Sequence, residues 1–305
     1  MIMRDIILDL CGGTGSWSMP WKHAGYNVRV VTLPEYDVRD IRLEEDSICL
    51  MGKTKIELWA DNRVVCAKNE TTFEKIPISE IYGILAAPPC TEFSVLNCIA
   101  EARERDEEAG MEIVNACMRV IEHCKPVFWA LENPRGHLRK YLGKPRMTFQ
   151  PWQYGDPWTK ATDIWGNYSL PPPLYRKWED VPKLPLYTRP NRDKPNFAYL
   201  HKSAWKDIPQ LAYHEPTTDA EFRAMTPPGF AKAFYEANKE DDKLDREFRD
   251  QIPAVSGRDE TMGEVVRAEC VLRRKALGAT SEGCGILAQA DDCRNEYAEG
   301  EKDPV

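Results

Sequence analysis

The sequence predicts an α/β protein with a mainly parallel sheet and a small irregular lobe. Three observations predict it. Apolar runs alternate with a glycine-led turn or an amphipathic segment, the order a parallel sheet requires. Three polar, chemistry-bearing stretches each follow directly on an apolar run. From residue 170 the periodicity stops and proline, aromatic and cationic residues take over. The chain has 305 residues, of which 42% are hydrophobic, enough to bury one sizeable core and a smaller second lobe.

The elements follow in order. "DIILDLCGGTGS" (5–16) is an apolar strand running into a glycine-rich turn, "WSMPWKHAG" (17–25) a short helix closed by Gly25, and "YNVRVVTL" (26–33) a second strand. The stretch around "KIELWADNRVVCAKNETTF" (55–73) is polar and hairpin-like, and "IYGILAA" (81–87) is a further strand. Ile113, Val114, Cys117, Val120, Ile121 and Cys124 recur at helical spacing until Pro126 stops the run, so Cys117 and Cys124 read as core packing. "PVFWAL" (126–131) is another buried strand, ending at "ENPRG". "TPPGFAKAFYEAN" (226–238) returns to helix, with prolines at its start. These elements divide the chain into 1–169, an irregular lobe at 170–220, a helix at 221–240 that returns to the first part, and a charged tail at 241–305. The tail reads as flexible, with a helix near 260–277.

Charge is unevenly spread. Residues 1–134 carry a net charge of −8, residues 135–210 carry +8, residues 211–240 carry −2 and the tail −6. An acidic body with one basic segment suggests a polyanion held by one part of the chain. No apolar stretch approaches the roughly 20 residues that span a bilayer, and the N-terminus lacks the ordered regions of a signal peptide. Ten cysteines occur without CxxC pairing, which indicates neither a zinc site nor a disulfide framework. The expectation is a protein of a reducing cytoplasm, without membrane or metal.

The chemistry-bearing stretches sit at strand ends, where ligands gather in an open parallel sheet. Gly12, Gly13 and Gly15 allow a tight turn that approaches a ligand, but their spacing is not GxGxxG. An adenosine-containing ligand with a carboxylate suits such a turn. Cys90 follows Pro88 and Pro89, which restrict the backbone and hold the sulfur in place. A thiol is a useful nucleophile only as thiolate. Placement matters as well, since an error of about an ångström can cost about 10²-fold in rate. Glu132, behind "VFWAL", is expected at a buried strand's end, where desolvation raises a carboxyl pKa and lets it donate to a heteroaromatic nitrogen.

These residues resemble the cytosine carbon-5 DNA methyltransferases, in a compact, phage-type form. "LDLCGGTGSW" is similar to that family's first motif, "AAPPCTEFS" to its nucleophile motif and "LENPRG" to its glutamate motif, in the same order. "TPPGFAKAFYEAN" is similar to a C-terminal segment of the phage-type members, so the resemblance covers about residues 5–240. It implies a Rossmann-like, S-adenosylmethionine-dependent methyltransferase fold with 170–220 as target-recognition lobe. Cys90 would attack carbon 6 of a flipped-out cytosine while Glu132 protonates or hydrogen-bonds ring nitrogen 3, and carbon 5 would take the methyl group. The partner implied is double-stranded DNA, contacted by a monomer in a bacterial or phage-infected cytoplasm.

The resemblance also implies roles for further positions. Asp9, Cys11, Gly13, Gly15, Trp17, Glu35, Asp40 and Pro88 would contact S-adenosylmethionine, and Ser94, Asn133, Lys160 and Thr162 the substrate. Several depart from the family pattern. Cys11 stands where Phe is usual, and Pro34 stands near the usual ribose-binding acid with Glu35 beside it as the candidate, while Asp40-Ile41 resembles the family's adenine-end pair. No Gln-x-Arg-x-Arg motif follows Glu132, which leaves Lys160 and Thr162 to take over pocket contacts. The alternatives are an RNA cytosine methyltransferase, an enzyme transferring a larger group from a modified S-adenosylmethionine, and a silent DNA-binding relative.

Overall fold

The computed structural model describes residues 4–60, 63–94, 105–208 and 216–240, without the side chains of 54–60 and 63–70. In chain order its strands are β1 (Ile6–Leu10), β2 (Asn27–Val31), β3 (Arg42–Glu44), β4 (Ser47–Ala60), β5 (Arg63–Pro77), β6 (Ile81–Ala86), β7 (Phe128–Pro134), β8 (Met147–Phe149) and β9 (Thr162–Asn167). Its α-helices are α1 (Met19–His23), α2 (Glu107–Cys124), α3 (Arg139–Leu142), α4 (Asp219–Ala224) and α5 (Pro228–Asn238). Met1–Lys239 make up one unit. The expected tail at 241–305, with its helix near 260–277, lies outside the described residues.

Six strands form the main sheet in the order β2-β1-β6-β7-β9-β8. The first four run parallel, and β9 and then β8 add antiparallel. The chain moves from β1 out to β2 and returns on the other side of β1 as β6. The strand order therefore reverses between β1 and β6, and their carboxyl ends flank the crevice where ligands bind in such sheets. The hairpin-like stretch is real and longer than the sequence suggests: β4 and β5 pair antiparallel over their length and β3 joins them in a separate sheet. Among the described residues no helix is long and apolar enough to cross a membrane.

Both faces of the main sheet are covered, which is why β1 and β6 are buried along their whole length. On one face α2 lays Val114, Cys117, Val120, Ile121 and Cys124 against Leu8, Leu10, Ile84 and Leu131. The carboxylate of Asp106 caps α2 by accepting from the Ala109 N–H at 2.9 Å, and Lys125, at φ 44°, ends it before Pro126. On the other face the glycine turn, α1 and α5 bring Trp17, Trp21, Phe230 and Phe234 onto Ile7, Leu85 and Phe128. Trp21 stacks on Phe128 at 5.0 Å between centroids.

The lobe has short 3-10 turns at Trp178–Asp180, Phe197–Tyr199 and Lys202–Asp207, as its irregular sequence suggests. Its small core draws on residues from outside 170–220. Trp158 stacks on Phe197 at 5.2 Å, and Phe222 and Met225 complete the cluster with Leu200 and Ile208.

Candidate active site

The site begins with Asp9, buried near the end of β1. Its Oδ2 accepts from Ser18 Oγ at 2.5 Å, while Oδ1 has no partner. Burial pushes this carboxyl up to about 7, against the opposing pull of the Ser18 bonds. A Cβ at residue 12 would lie 2.4 Å from Asp9 Cγ, so the turn passes this carboxyl only because Gly12 has no side chain. Cys11 follows β1 with φ 57°, its N–H donating to the Val31 carbonyl at 2.7 Å. Gly15 closes the turn, its N–H donating to the Gly12 carbonyl at 2.9 Å. Ser16 Oγ accepts from the Thr226 N–H at 2.8 Å and ties the turn to the segment entering α5.

Cys90 lies just beyond the adjoining strand β6. The Ala87 N–H donates to the Leu10 carbonyl at 2.9 Å, which brings the two strand ends together. The Cys90 carbonyl accepts from Phe93 N–H at 3.0 Å and Ser94 N–H at 2.8 Å, making a tight turn. Two contacts fasten this turn to the segment after β7. Asn133 Nδ2 donates to the Pro88 carbonyl at 3.1 Å, and His137 N–H donates to the Phe93 carbonyl at 2.8 Å. A Cβ at Gly136 would stand 2.1 Å from that same carbonyl, so the close crossing requires glycine. The two prolines are thus one part of a cross-braced turn.

Glu132 lies inside β7, opposite Ile164 of β9, and is 5% exposed with Oε1 unpartnered. The strand was expected to end at Leu131; the antiparallel partner β9 extends it to Pro134. Burial raises the Glu132 pKa, Lys160 opposes the rise and Asp163 adds to it. The half-buried Cys90 thiol is also raised, first by burial and less by the Glu132 carboxylate, while Lys160 lowers it. Lys160 is held at both ends: its N–H donates to Gln150 Oε1 at 3.1 Å and its Nζ to the Met225 carbonyl at 3.3 Å.

Cys90, Glu132 and Lys160 share the wall of one hollow of about 90 Å3 with Asp9, Cys11, Gly13, Trp17 and Pro88. A second hollow, of about 200 Å3, has Cys11 and Pro89 in common with it and adds Thr32, Tyr36, Asp37, Val38 and Ile113. On the lobe side a hollow of about 300 Å3 joins Cys90, Ser94 and Lys160 to Phe197 and Arg223. Another, of about 470 Å3, runs along Ser94, Arg135, His137 and Arg139. Within the lobe a hollow of about 480 Å3 is lined by Tyr187, Arg189, Asn191, Arg192, Asp193, Lys194 and Tyr199.

Five of the expected contact residues line none of these hollows. Glu35 is exposed, and the carboxylate of Asp40 accepts from Lys53 Nζ at 2.6 Å. Asp37 lines the second hollow instead. The chain turns after β2 through a bond from Tyr36 N–H to the Thr32 carbonyl, and Asp37 then caps the short turn Val38–Asp40 by accepting from Arg39 N–H at 3.0 Å. That geometry leaves Asp37 at the wall and carries Asp40 past it. Its place just before the buried Val38 was the one available signal in "EYDVRDI". Gly15 serves the turn itself. Asn133 acts on the Pro88 loop. Thr162 is buried, its hydroxyl donating to the Lys160 carbonyl at 2.8 Å. Arg223, which sequence reasoning missed, borders the Cys90 side of the lobe.

Among the described residues no group of three or more His, Cys, Asp or Glu side chains could hold a metal ion. No protein-family model matches the chain, and no curated protein matches it significantly.

Proposed function

We propose that this chain is a cytosine carbon-5 DNA methyltransferase of Rossmann-like fold that uses S-adenosylmethionine. The observation that carries the reading is the shared hollow: a braced cysteine, a buried carboxyl and a lysine meet the glycine turn at the reversal of strand order. An acid with a raised pKa beside a nucleophile is the pairing that addition to a heteroaromatic ring needs.

The residues fit the cofactor. The unpartnered Oδ1 of Asp9 offers an acceptor to an ammonium group, the open space beside Gly13 lets a ligand approach the backbone, and the Asp37 carboxylate, already paired with the Arg39 guanidinium, borders the second hollow where ribose or adenine donors would sit. When bound, S-adenosylmethionine supplies an electrophilic methyl group. The chain's own part begins with deprotonation of Cys90. Its thiolate adds to carbon 6 of cytosine, and the ring electrons move toward carbon 5 as Glu132 gives a proton or hydrogen bond to nitrogen 3. Lys160 favours the thiolate and limits how far the Glu132 pKa rises. Once carbon 5 has taken the methyl group, its proton passes to solvent, nitrogen 3 gives its proton back to Glu132, and expulsion of the Cys90 thiolate restores the aromatic ring.

A base in this hollow must leave its stack, which costs a few kcal/mol. The cationic hollows on the lobe side, with Arg135, Arg223, Arg192 and Lys194, supply phosphate contacts that offset it. The test is methylation of unmethylated genomic DNA by purified protein and S-adenosylmethionine, read by bisulfite sequencing beside Cys90→Ala. Protected cytosines in one fixed context, lost in the variant, are expected. Unprotected DNA with cofactor bound overturns the reading.

A further inference from the structure

We propose that Cys11 and Cys117 form a dithiol site that closes to a disulfide and thereby disables the cofactor hollow; the second clause rests on the reading of that hollow given above. The two sulfurs lie 3.9 Å apart, although 106 positions separate them in the chain. A disulfide bond is roughly 2.05 Å long, so the gap to close is about 1.9 Å. Closing it requires the two side chains to rotate toward each other.

The two thiols differ in their surroundings, and the difference gives the reaction its order. Cys11 is half-buried and stands in the walls of both the first and the second hollow, where a small molecule can reach it. Cys117 is fully buried on the face of α2 that packs against the sheet. Its contact with Cys11 and its burial hold its pKa well above the usual thiol range, which makes it the slower partner. Attack from outside therefore starts at Cys11 and is resolved by Cys117.

With a low-molecular-weight disulfide as oxidant, the exchange balances. The Cys11 thiolate attacks one sulfur of the reagent, the reagent's S–S bond breaks, and one small thiolate leaves. The Cys117 thiolate then attacks the Cys11 sulfur and expels the second small thiolate. The protein loses two protons and two electrons; the reagent gains both and leaves as two thiols. In a reducing compartment such a pair rests open and closes transiently, as redox-sensing cytosolic cysteines do.

Closure has a structural consequence. Cys11 borders both hollows, and the bond draws its sulfur out of that shared wall toward α2 while pinning the glycine turn to the helix. Because the disulfide form then binds ligand more weakly, ligand favours the dithiol form by the same factor.

The experiment uses the full chain. Reduced protein is incubated with oxidised glutathione at pH 8, free thiols are alkylated, and the digest is searched for linked peptides, since the chain has ten cysteines to distinguish. S-Adenosylmethionine affinity is measured calorimetrically before oxidation, after it, and after re-reduction, for the wild type, Cys117→Ala and Cys117→Ser. A Cys11–Cys117 linked peptide is expected, with affinity at least tenfold weaker after oxidation and restored by reductant. Both variants should give no Cys11–Cys117 linked peptide and stop at a glutathione mixed disulfide on Cys11, which the same digest reads. Absence of the linked peptide in the wild type overturns the dithiol site whether or not either variant folds, and a linked protein with unchanged affinity overturns its action on the hollow. Failure of the reduced protein to bind S-adenosylmethionine overturns the cofactor reading alone, because peptide mapping does not depend on it.

Discussion

Asn133 Nδ2 donates to the carbonyl of Pro88 at 3.1 Å, and this buried bond joins the strand that carries Glu132 to the loop that carries Cys90. The proposed acid and nucleophile are therefore positioned relative to each other by the residue next to one and the residue two before the other. Asn133→Ala removes the bond and leaves a buried carbonyl unsatisfied, a loss of about 1–3 kcal/mol. The variant should melt at a lower temperature, and its single-turnover methyl transfer should fall on the order of 10- to 100-fold because the two groups lose register. Unchanged transfer would remove the brace from the account.

Lys160 acts on both groups in the same direction, lowering the pKa of Cys90 and of Glu132. Lys160→Met should raise both. The rate of Cys90 alkylation by iodoacetamide, followed peptide by peptide across pH, should shift to higher pH in the variant. A profile that stays put or moves down would show that the ammonium does not act on the thiol.

Burial also sets a pH dependence of stability. Asp9 is raised to about 7 and Asp156 to about 8, so the folded chain holds protons that the unfolded chain releases near pH 4. Proton binding is then greater in the folded state, and stability must fall as pH rises from about 4 toward 8 and level off above. Glu107, lowered to about 2 by His137 and Tyr141, contributes stability that is fully present above about pH 4.5 and is lost only as pH falls through about 2, so it adds no slope across this window. Asp9→Asn removes one share of the decline, on the order of 4 kcal/mol for a shift of that size. Denaturant unfolding at pH 5 and pH 8 should show a smaller difference in the variant than in the wild type.

The lobe hollow gathers Arg189, Arg192 and Lys194 around an exposed Tyr187. Arg189 already bonds to Tyr199 Oη at 2.9 Å, and Lys194 rests over Trp152 and Trp178. If a phosphate enters here, Arg192→Ala should weaken DNA binding and reduce the slope of log affinity against log salt by about 1. A slope equal to that of the wild type would place the DNA elsewhere.

Much of the framework was legible because it is local. The glycine turn, the Pro-Pro-Cys loop and the Glu-Asn-Pro segment each follow an apolar run, and the runs are β1, β6 and β7. What escaped depends on distant partners. β9 is half polar and contains Gly166, so "TDIWGN" carries no strand signal until β7 pairs with it. Trp158 and Phe222 enter the lobe core from beyond its sequence borders, because the lobe packs on side chains from the segments that flank it. Of three acids in "EYDVRDI", the choice of Asp37 over Glu35 and Asp40 was made by a turn whose hydrogen bonds do not register in composition.

Addition of the Cys90 sulfur to cytosine carbon 6 can be trapped with a fluorinated base. Duplex DNA containing 5-fluorocytosine in the methylated context is incubated with the protein and S-adenosylmethionine, then denatured and digested. Because fluorine cannot leave carbon 5 as the proton does, a denaturation-resistant adduct should form whose linked peptide contains Cys90, absent in Cys90→Ala. No adduct from protein that binds both cofactor and DNA, or an adduct on another cysteine, would contradict it.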